Sequence, residues 1–438
     1  MGRNGKSPAR PLALVNARLL DPATGLDEVG GLLIEDGGIA EFGPQIGAEG
    51  LGERFERVDC KGRCLAPGLV DIRVQLCEPG QEHKETIESG SRAAAAGGIT
   101  TMVCLPNTDP VIDDIAVVEF IARRAREVKL VKVFAYAAVT KGTEGIDLTE
   151  MGLLSEAGAL AFTDGTKAIG SAALMNRALS YASTFGKLVI QHAEEPTLAV
   201  GGHMNKGEIS TRLGLRGIPA VAELLVIERD LRLLESTGGR YHVAHVSTAG
   251  GVEAIRQAKA RGLAVSCDTA PPYFTLNEAA VGDYRTFAKL SPPLRSEDDR
   301  AAVVEALADG TVDAVASDHA PQDQDSKRLP FAQAEFGGIG LETLLPLSLG
   351  LYHNRKMALL DVLASMTFRP AALLDLPSGR LRTGAAADLV LFDPDVPWRI
   401  EETTFHSKSK NSPFESHPVQ GRVWRTIVDG RTVFQRDD

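Results

Sequence analysis

The sequence predicts an α/β protein: a (β/α)8 barrel of the TIM type with a small β-sandwich domain formed by both chain ends. Three observations predict it. Short apolar runs alternate with helix-patterned stretches from about Pro67 to about Asp375. Strand-and-turn texture flanks that zone on either side. The 438 residues suffice for one barrel, about 250 residues as a rule, plus an accessory domain. The expected division is 1–66 with 376–438 for the composite β-domain and 67–375 for the barrel.

The first segment, Met1 to Pro11, is polar and basic and lacks the apolar stretch of a signal peptide, so a frayed tail is expected. The runs Leu12-Ala13-Leu14-Val15 and Gly31-Leu32-Leu33-Ile34 are cut by Gly, Asp and Pro, which is strand texture. Asp36-Gly37-Gly38 is a turn signal joining two such runs.

In the middle zone, residues 131–135, 159–162, 188–190, 241–244 and 264–267 are apolar runs of strand length. Ile115 to Val128 and Ala249 to Arg261 have helical periodicity. Repeated βα units imply a parallel sheet, and their number in one continuous zone favours a closed barrel over an open one. No Gly-x-Gly-x-x-Gly follows the first strand, so a dinucleotide fold is not supported. In the last zone, residues 386–392 and 423–434 return to strand texture, with Asp429-Gly430-Arg431 as a turn. Because the first and last zones look alike, the simplest architecture pairs them around the inserted barrel.

Composition narrows the function classes. A hydrophobic fraction of 44% and a charged fraction of 24% fit a folded globular chain. A net charge of −11 without a Lys/Arg cluster argues against nucleic acid, whose phosphates need a basic face. No run approaches the ~20 apolar residues of a membrane-spanning helix. The five cysteines, Cys60, Cys64, Cys77, Cys104 and Cys267, are scattered and odd in number, so a reducing, cytoplasmic compartment is expected. Cys60 and Cys64 have no second pair to complete a structural zinc site.

Pro67-Gly68-Leu69-Val70-Asp71-Ile72-Arg73-Val74-Gln75-Leu76 resembles the end of the first barrel strand in cyclic amidohydrolases. Further segments follow in the order found in dihydroorotases. They are Glu78-Pro79-Gly80 with Lys84-Glu85-Thr86-Ile87, Leu105-Pro106-Asn107-Thr108, and His242-Val243-Ala244-His245-Val246-Ser247-Thr248. Ser291-Pro292-Pro293-Leu294-Arg295, Ser317-Asp318-His319-Ala320-Pro321, Phe336-Gly337-Gly338-Ile339-Gly340-Leu341-Glu342-Thr343 and residues 407–414 complete the series. The chain is thereby identified as a member of the dihydroorotase family, of the bacterial class I type within the amidohydrolase superfamily.

The resemblance implies a site residue by residue. The family's His-x-His metal pair is replaced by Arg73 and Gln75, and its substrate-carboxylate arginine by Cys77. The bridging metal aspartate is replaced by Gly165, leaving Asp164 as its neighbour. A substrate asparagine is replaced by Ser291 and a substrate histidine by Gln322. Retained are the ligand histidines His192 and His245, the metal-binding general base Asp318, and the substrate residues Asn107, Phe336 and Gly337. His242 and His319 are expected to be structural. A carbamylated Lys167 is one chemical route to the missing bridging carboxylate.

Two functions remain open at this point. Metal activation of water depends on ligand number and charge, and a guanidinium neither deprotonates nor donates a lone pair. Arg73 is instead expected to pair with Asp318, because the first and eighth strands of a closed barrel are neighbours. On this reading the chain is a pseudoenzyme of pyrimidine biosynthesis without a cofactor. The resemblance then implies a structural role beside aspartate carbamoyltransferase, with self-association as a homo-oligomer. The alternative is an active dihydroorotase or related cyclic amidohydrolase interconverting dihydroorotate and carbamoyl aspartate. It would use a single zinc ion on His192, His245 and Asp318.

Overall fold

The computed structural model of the chain describes residues 11–47, 49 and 51–437, so all but Pro11 of the tail expected over Met1 to Pro11 lies outside them. Strand Leu26–Glu35 reverses into Gly38–Gly43 through Asp36 and Gly37, whose φ angles are 50° and 82°. Near the C-terminus, Pro418–Val428 reverses into Arg431–Gln435 through Asp429 and Gly430, at 48° and 71°. Positive φ at both central residues suits the right-handed twist of the flanking strands, and Asp-Gly adopts it with little strain.

The two chain ends form one domain. Cys64–Pro67 pairs antiparallel with Leu389–Phe392 on one side, and Cys64-Leu65 pairs parallel with Arg18-Leu19 on the other. The domain expected as a sandwich is thus one continuous eight-stranded sheet drawn from both ends. Its core joins Leu14, Leu19, Leu32 and Leu65 to Leu389, Leu391 and Ile427. Burying each such side chain contributes about 1.5–3 kcal/mol, which welds segments distant in sequence.

The barrel strands are Leu69–Val74, Ile99–Cys104, Lys132–Ala135, a one-residue fourth strand at Phe162, Leu188–His192, Arg240–Ala244, Val265–Thr269 and Ala314–Val315. Neighbours pair in parallel, and a bridge from Val74 to His319 closes the ring. The fourth strand is shorter than the apolar run 159–162 predicts. Phe162 alone bridges Ala137 and Val189, and the chain then turns at Asp164, whose Oδ1 accepts from Thr140 N at 2.9 Å. Val70, Ile72, Val103, Leu105 and Ile190 fill the barrel interior.

The helices follow their local signals. Ile115–Val128 starts at Asp114, whose carboxylate accepts from Ala116 N, and ends at Lys129 with φ 54°. Ala249–Ala260 starts at Thr248, whose hydroxyl accepts from Gly251 N, and Arg261 caps it. These caps satisfy amide groups that the helix itself leaves unpaired.

Candidate active-site mouth

The C-terminal ends of the strands form one mouth of the barrel, where barrel chemistry is ordinarily housed. Arg73 reaches it through an irregularity in its strand. Val70 and Ile72 face the barrel interior, Val74 faces the outer layer, and the pairing register shifts between Asp71 and Val74. Such a slip re-aims the side chain within it. His192 ends the fifth strand, His245 follows the sixth and Asp318 follows the eighth. His245 and Asp318 have φ of 38° and 51°. Non-glycine residues seldom adopt such angles, and they cluster at functional sites where surrounding structure holds them.

Arg73 Nε donates to Asp318 Oδ1 at 2.9 Å, and Nη2 donates to Gly165 O at 3.2 Å. The side chains are 3% and 15% exposed, so this ion pair is shielded from water. Burial pushes the Asp318 carboxyl up to about 6, against the opposite pull of Arg73. The Tyr273 hydroxyl donates to Pro292 O at 3.0 Å and lies 3.5 Å from Asp318 Oδ2.

The two retained histidines face each other, with His192 Nδ1 3.1 Å from His245 Nε2. His192 Nε2 stands 3.8 Å from Glu194 Oε1. His245 Nδ1 is buried without a partner. Burial, then Arg73 and His192, hold the His245 imidazole well below the ordinary histidine range, so it is neutral at pH 7. Asp268 anchors this wall: Oδ1 accepts from His245 N at 2.7 Å, and Oδ2 meets His242 Nε2 at 2.8 Å.

This donor set does not fit a metal. Among the described residues, no group of three or more His, Cys, Asp or Glu is placed to hold one. The reduced zinc site expected from His192, His245 and Asp318 is not assembled in this arrangement. The imidazoles are bonded to each other and the carboxylate to a guanidinium whose fixed charge repels a dication. Asp164 and Lys167 are both turned to other partners. Asp164 turns to Thr140 through Oδ1 and Oδ2, and Lys167 Nζ donates to Thr143 O at 3.3 Å. Gly165 has φ +68°, and a Cβ there would lie 3.3 Å from Asn107 Oδ1.

A cavity of about 310 Å³ remains in the mouth, lined among others by Arg73, Gln75, Asn107, Ser291, Asp318, Gln322, Phe336 and Gly337. Asn107 Nδ2 donates to Gln75 Oε1 at 2.9 Å, and Gln322 Nε2 donates to Phe336 O at 2.9 Å. Side-chain amides thus tie together residues on the cavity wall. Cys77 does not line the cavity; it is buried, with its thiol pushed up to about 12 by burial. Gln81, Lys84, Thr166 and Glu335 do line it, and sequence reasoning missed them. The only signal for Lys84 was its place in the segment after the first strand. His242 bonds Ser266 and Asp268 through its two ring nitrogens, and His319 Nδ1 accepts from Gly340 N, which gives both structural partners.

Comparison with known proteins agrees with this architecture. An L-hydantoinase (dihydropyrimidinase) from Arthrobacter aurescens superposes with TM-score 0.85 at 26% identity, covering 98% of this chain and 96% of that one. A dihydropyrimidinase from Brevibacillus agri NCHU1002 gives 0.83 at 22% identity over 97% and 95%, a likeness of fold alone. The fold is that of an amidohydrolase barrel. A family model described as "Dihydro-orotase-like" matches residues 62–250. A dihydroorotase from Anaplasma phagocytophilum (strain HZ) is 46% identical over 439 residues, covering 99% of this chain and 98% of the relative. Another from Syntrophotalea carbinolica is 46% identical over 427 residues, covering 98% and 100%. The chain belongs to the dihydroorotase family.

Proposed function

We propose that this chain is a non-catalytic dihydroorotase homologue that serves pyrimidine biosynthesis as a structural partner of aspartate carbamoyltransferase. The observation that carries the reading is the Arg73–Asp318 ion pair, 2.9 Å long, where the family's metal centre would lie. A hydrolase of this family needs an ionised, metal-coupled carboxylate and an activated water. Here the retained carboxylate is engaged by a permanent cation, and Gly165 supplies a backbone carbonyl to the same guanidinium. No zinc is required to complete these contacts. The partner assignment rests on family resemblance alone.

A second reading, an active enzyme with a reduced site, draws on the relatives' shared name and on the retained His192, His245 and Asp318. One experiment separates the two. The purified chain is assayed for bound zinc and for dihydroorotate–carbamoyl aspartate interconversion with and without added metal. It is then mixed with aspartate carbamoyltransferase and passed over a sizing column. A metal-free, inert chain that co-elutes supports the proposal. Stoichiometric zinc with turnover establishes the second reading instead.

A further inference from the structure

The ring of helices around the barrel is interrupted beside the third strand. The helix after that strand, Met151–Glu156, has 6 residues, against 14 in Ile115–Val128 before it. Six residues span only about 9 Å. The outer face of Lys132–Ala135 therefore opens into a cavity of about 830 Å³, well above the 310 Å³ of the mouth. Val131, Val133 and Ala135 form its floor, and Ile121, Ala122 and Ala125 form one wall. A cavity walled by such side chains gives water few hydrogen bonds and suits an apolar guest. Its size falls in the range of about 300–1,000 Å³ typical of small-molecule sites.

Four cations, Arg126, Lys129, Lys132 and Arg431, line it against one carboxylate, Asp429. Lys132 is neutralised by Asp388 at 2.6 Å and Asp429 at 2.9 Å. Arg126, Lys129 and Arg431 also line the cavity, are exposed, and make no salt bridge among the described residues. Arg431 Nη2 donates to Lys129 O at 3.3 Å, which fixes the guanidinium beside the end of the helix. Three cations outside any salt bridge thus gather beside Asp429 at one opening of a chain with net charge −11. Such a cluster creates a local positive potential that draws anions.

We propose that this flank cavity binds a small amphipathic anion, its apolar body against Val133 and Ala122 and its anionic head at Arg126, Lys129 and Arg431. The site is separate from the mouth and does not depend on whether the mouth is catalytic.

The test uses the full chain with two probes, 1-anilinonaphthalene-8-sulfonate followed by fluorescence and decanoate as competitor. Saturable sulfonate binding, displaced by decanoate and weakened by salt, is expected. Ala122→Trp fills the cavity and abolishes binding. The exposed double variant Arg126→Glu/Arg431→Glu lowers affinity at least about tenfold, since it replaces two attractive charges with repulsive ones. Lys84→Ala, in the mouth, leaves binding unchanged. Circular dichroism and melting temperature check each fold, and the charge variant decides the matter if Ala122→Trp misfolds. Absence of saturable binding, binding that survives the charge reversal, or loss of binding in Lys84→Ala would each overturn the proposal.

Discussion

Arg73 and Asp318 stand 245 positions apart in the chain, and their side chains meet at 2.9 Å across the seam that closes the barrel. Coulomb attraction in a shielded site is strong, but so is the desolvation each charge suffers, and the net worth of the pair is small beside the penalty of breaking it. Arg73→Ala is therefore expected to destabilise the chain by about 3–5 kcal/mol, because it leaves Asp318 buried without a cation. The double variant Arg73→Ala/Asp318→Ala should lose less than the sum of the single changes. Urea denaturation of the four proteins measures this; simple additivity would show that the two groups do not interact.

The overall architecture was legible because its signals are local. The Asp36-Gly37 and Asp429-Gly430 turns, the Asp114 cap and the βα alternation each act over a few residues. Motif order placed Arg73, Gln75 and Gly165 together at the mouth, where the structure brings the three close. Other features depend on contacts between distant segments. The slip between Asp71 and Val74 that turns Arg73 into the mouth leaves no mark in composition. Cys77 was placed by motif at a substrate position, yet φ 59° and burial take it out of the cavity, while Lys84 lines it. The partner of His192 lies 53 residues away, so only the folded barrel shows that the two imidazoles bond each other.

The raised carboxyl of Asp318 gives a pH dependence of definite sign. Its folded value is about 6, and its unfolded value is about 3.9. Between those limits the native state binds the extra proton, so this group's contribution to stability grows as pH falls through about 6 and is complete below about 4. Wild type should gain on Asp318→Asn between pH 7 and pH 5, by at most about 1.4 kcal/mol per pH unit. Urea midpoints of both proteins at the two pH values test it. Parallel shifts in both would assign the titration to another group.

Restoring imidazoles should restore metal binding. Arg73→His/Gln75→His removes the guanidinium, frees Asp318 and adds two nitrogen ligands beside His192 and His245. Zinc uptake approaching about one ion per chain is expected after dialysis, four N/O donors being enough for a closed site. Adding Gly165→Asp should not improve uptake, because φ there is +68° and the new Cβ would meet Asn107 Oδ1 at 3.3 Å. Elemental analysis decides it; equal zinc retention by wild type would remove the electrostatic argument.

Two buried lysines hold the loops that roof the mouth. Lys327, 2% exposed, donates to Thr286 O at 3.1 Å, Lys289 O at 3.3 Å and Glu335 O at 2.6 Å. Lys289 in turn donates to Ala332 O at 3.1 Å and Ala334 O at 2.6 Å, with its ammonium 4.6 Å from the centre of the Phe336 ring. No carboxylate forms a salt bridge with either ammonium among the described residues, Glu335 attracting both only from farther off, so backbone carbonyls do the holding, and burial drives Lys327 down to about 7. Lys327→Met keeps the volume and deletes all three donors, leaving carbonyls whose loss of partners costs about 1–3 kcal/mol each when they stay buried. The loop around residues 324–336 relieves that cost by opening to water. Amide exchange there should accelerate at least about tenfold, the equivalent of 1.4 kcal/mol of local stability, while the helix Ile115–Val128 on the far flank exchanges as before. Uniform acceleration across the whole chain would show instead that Lys327 supports the global fold and not the roof of the mouth.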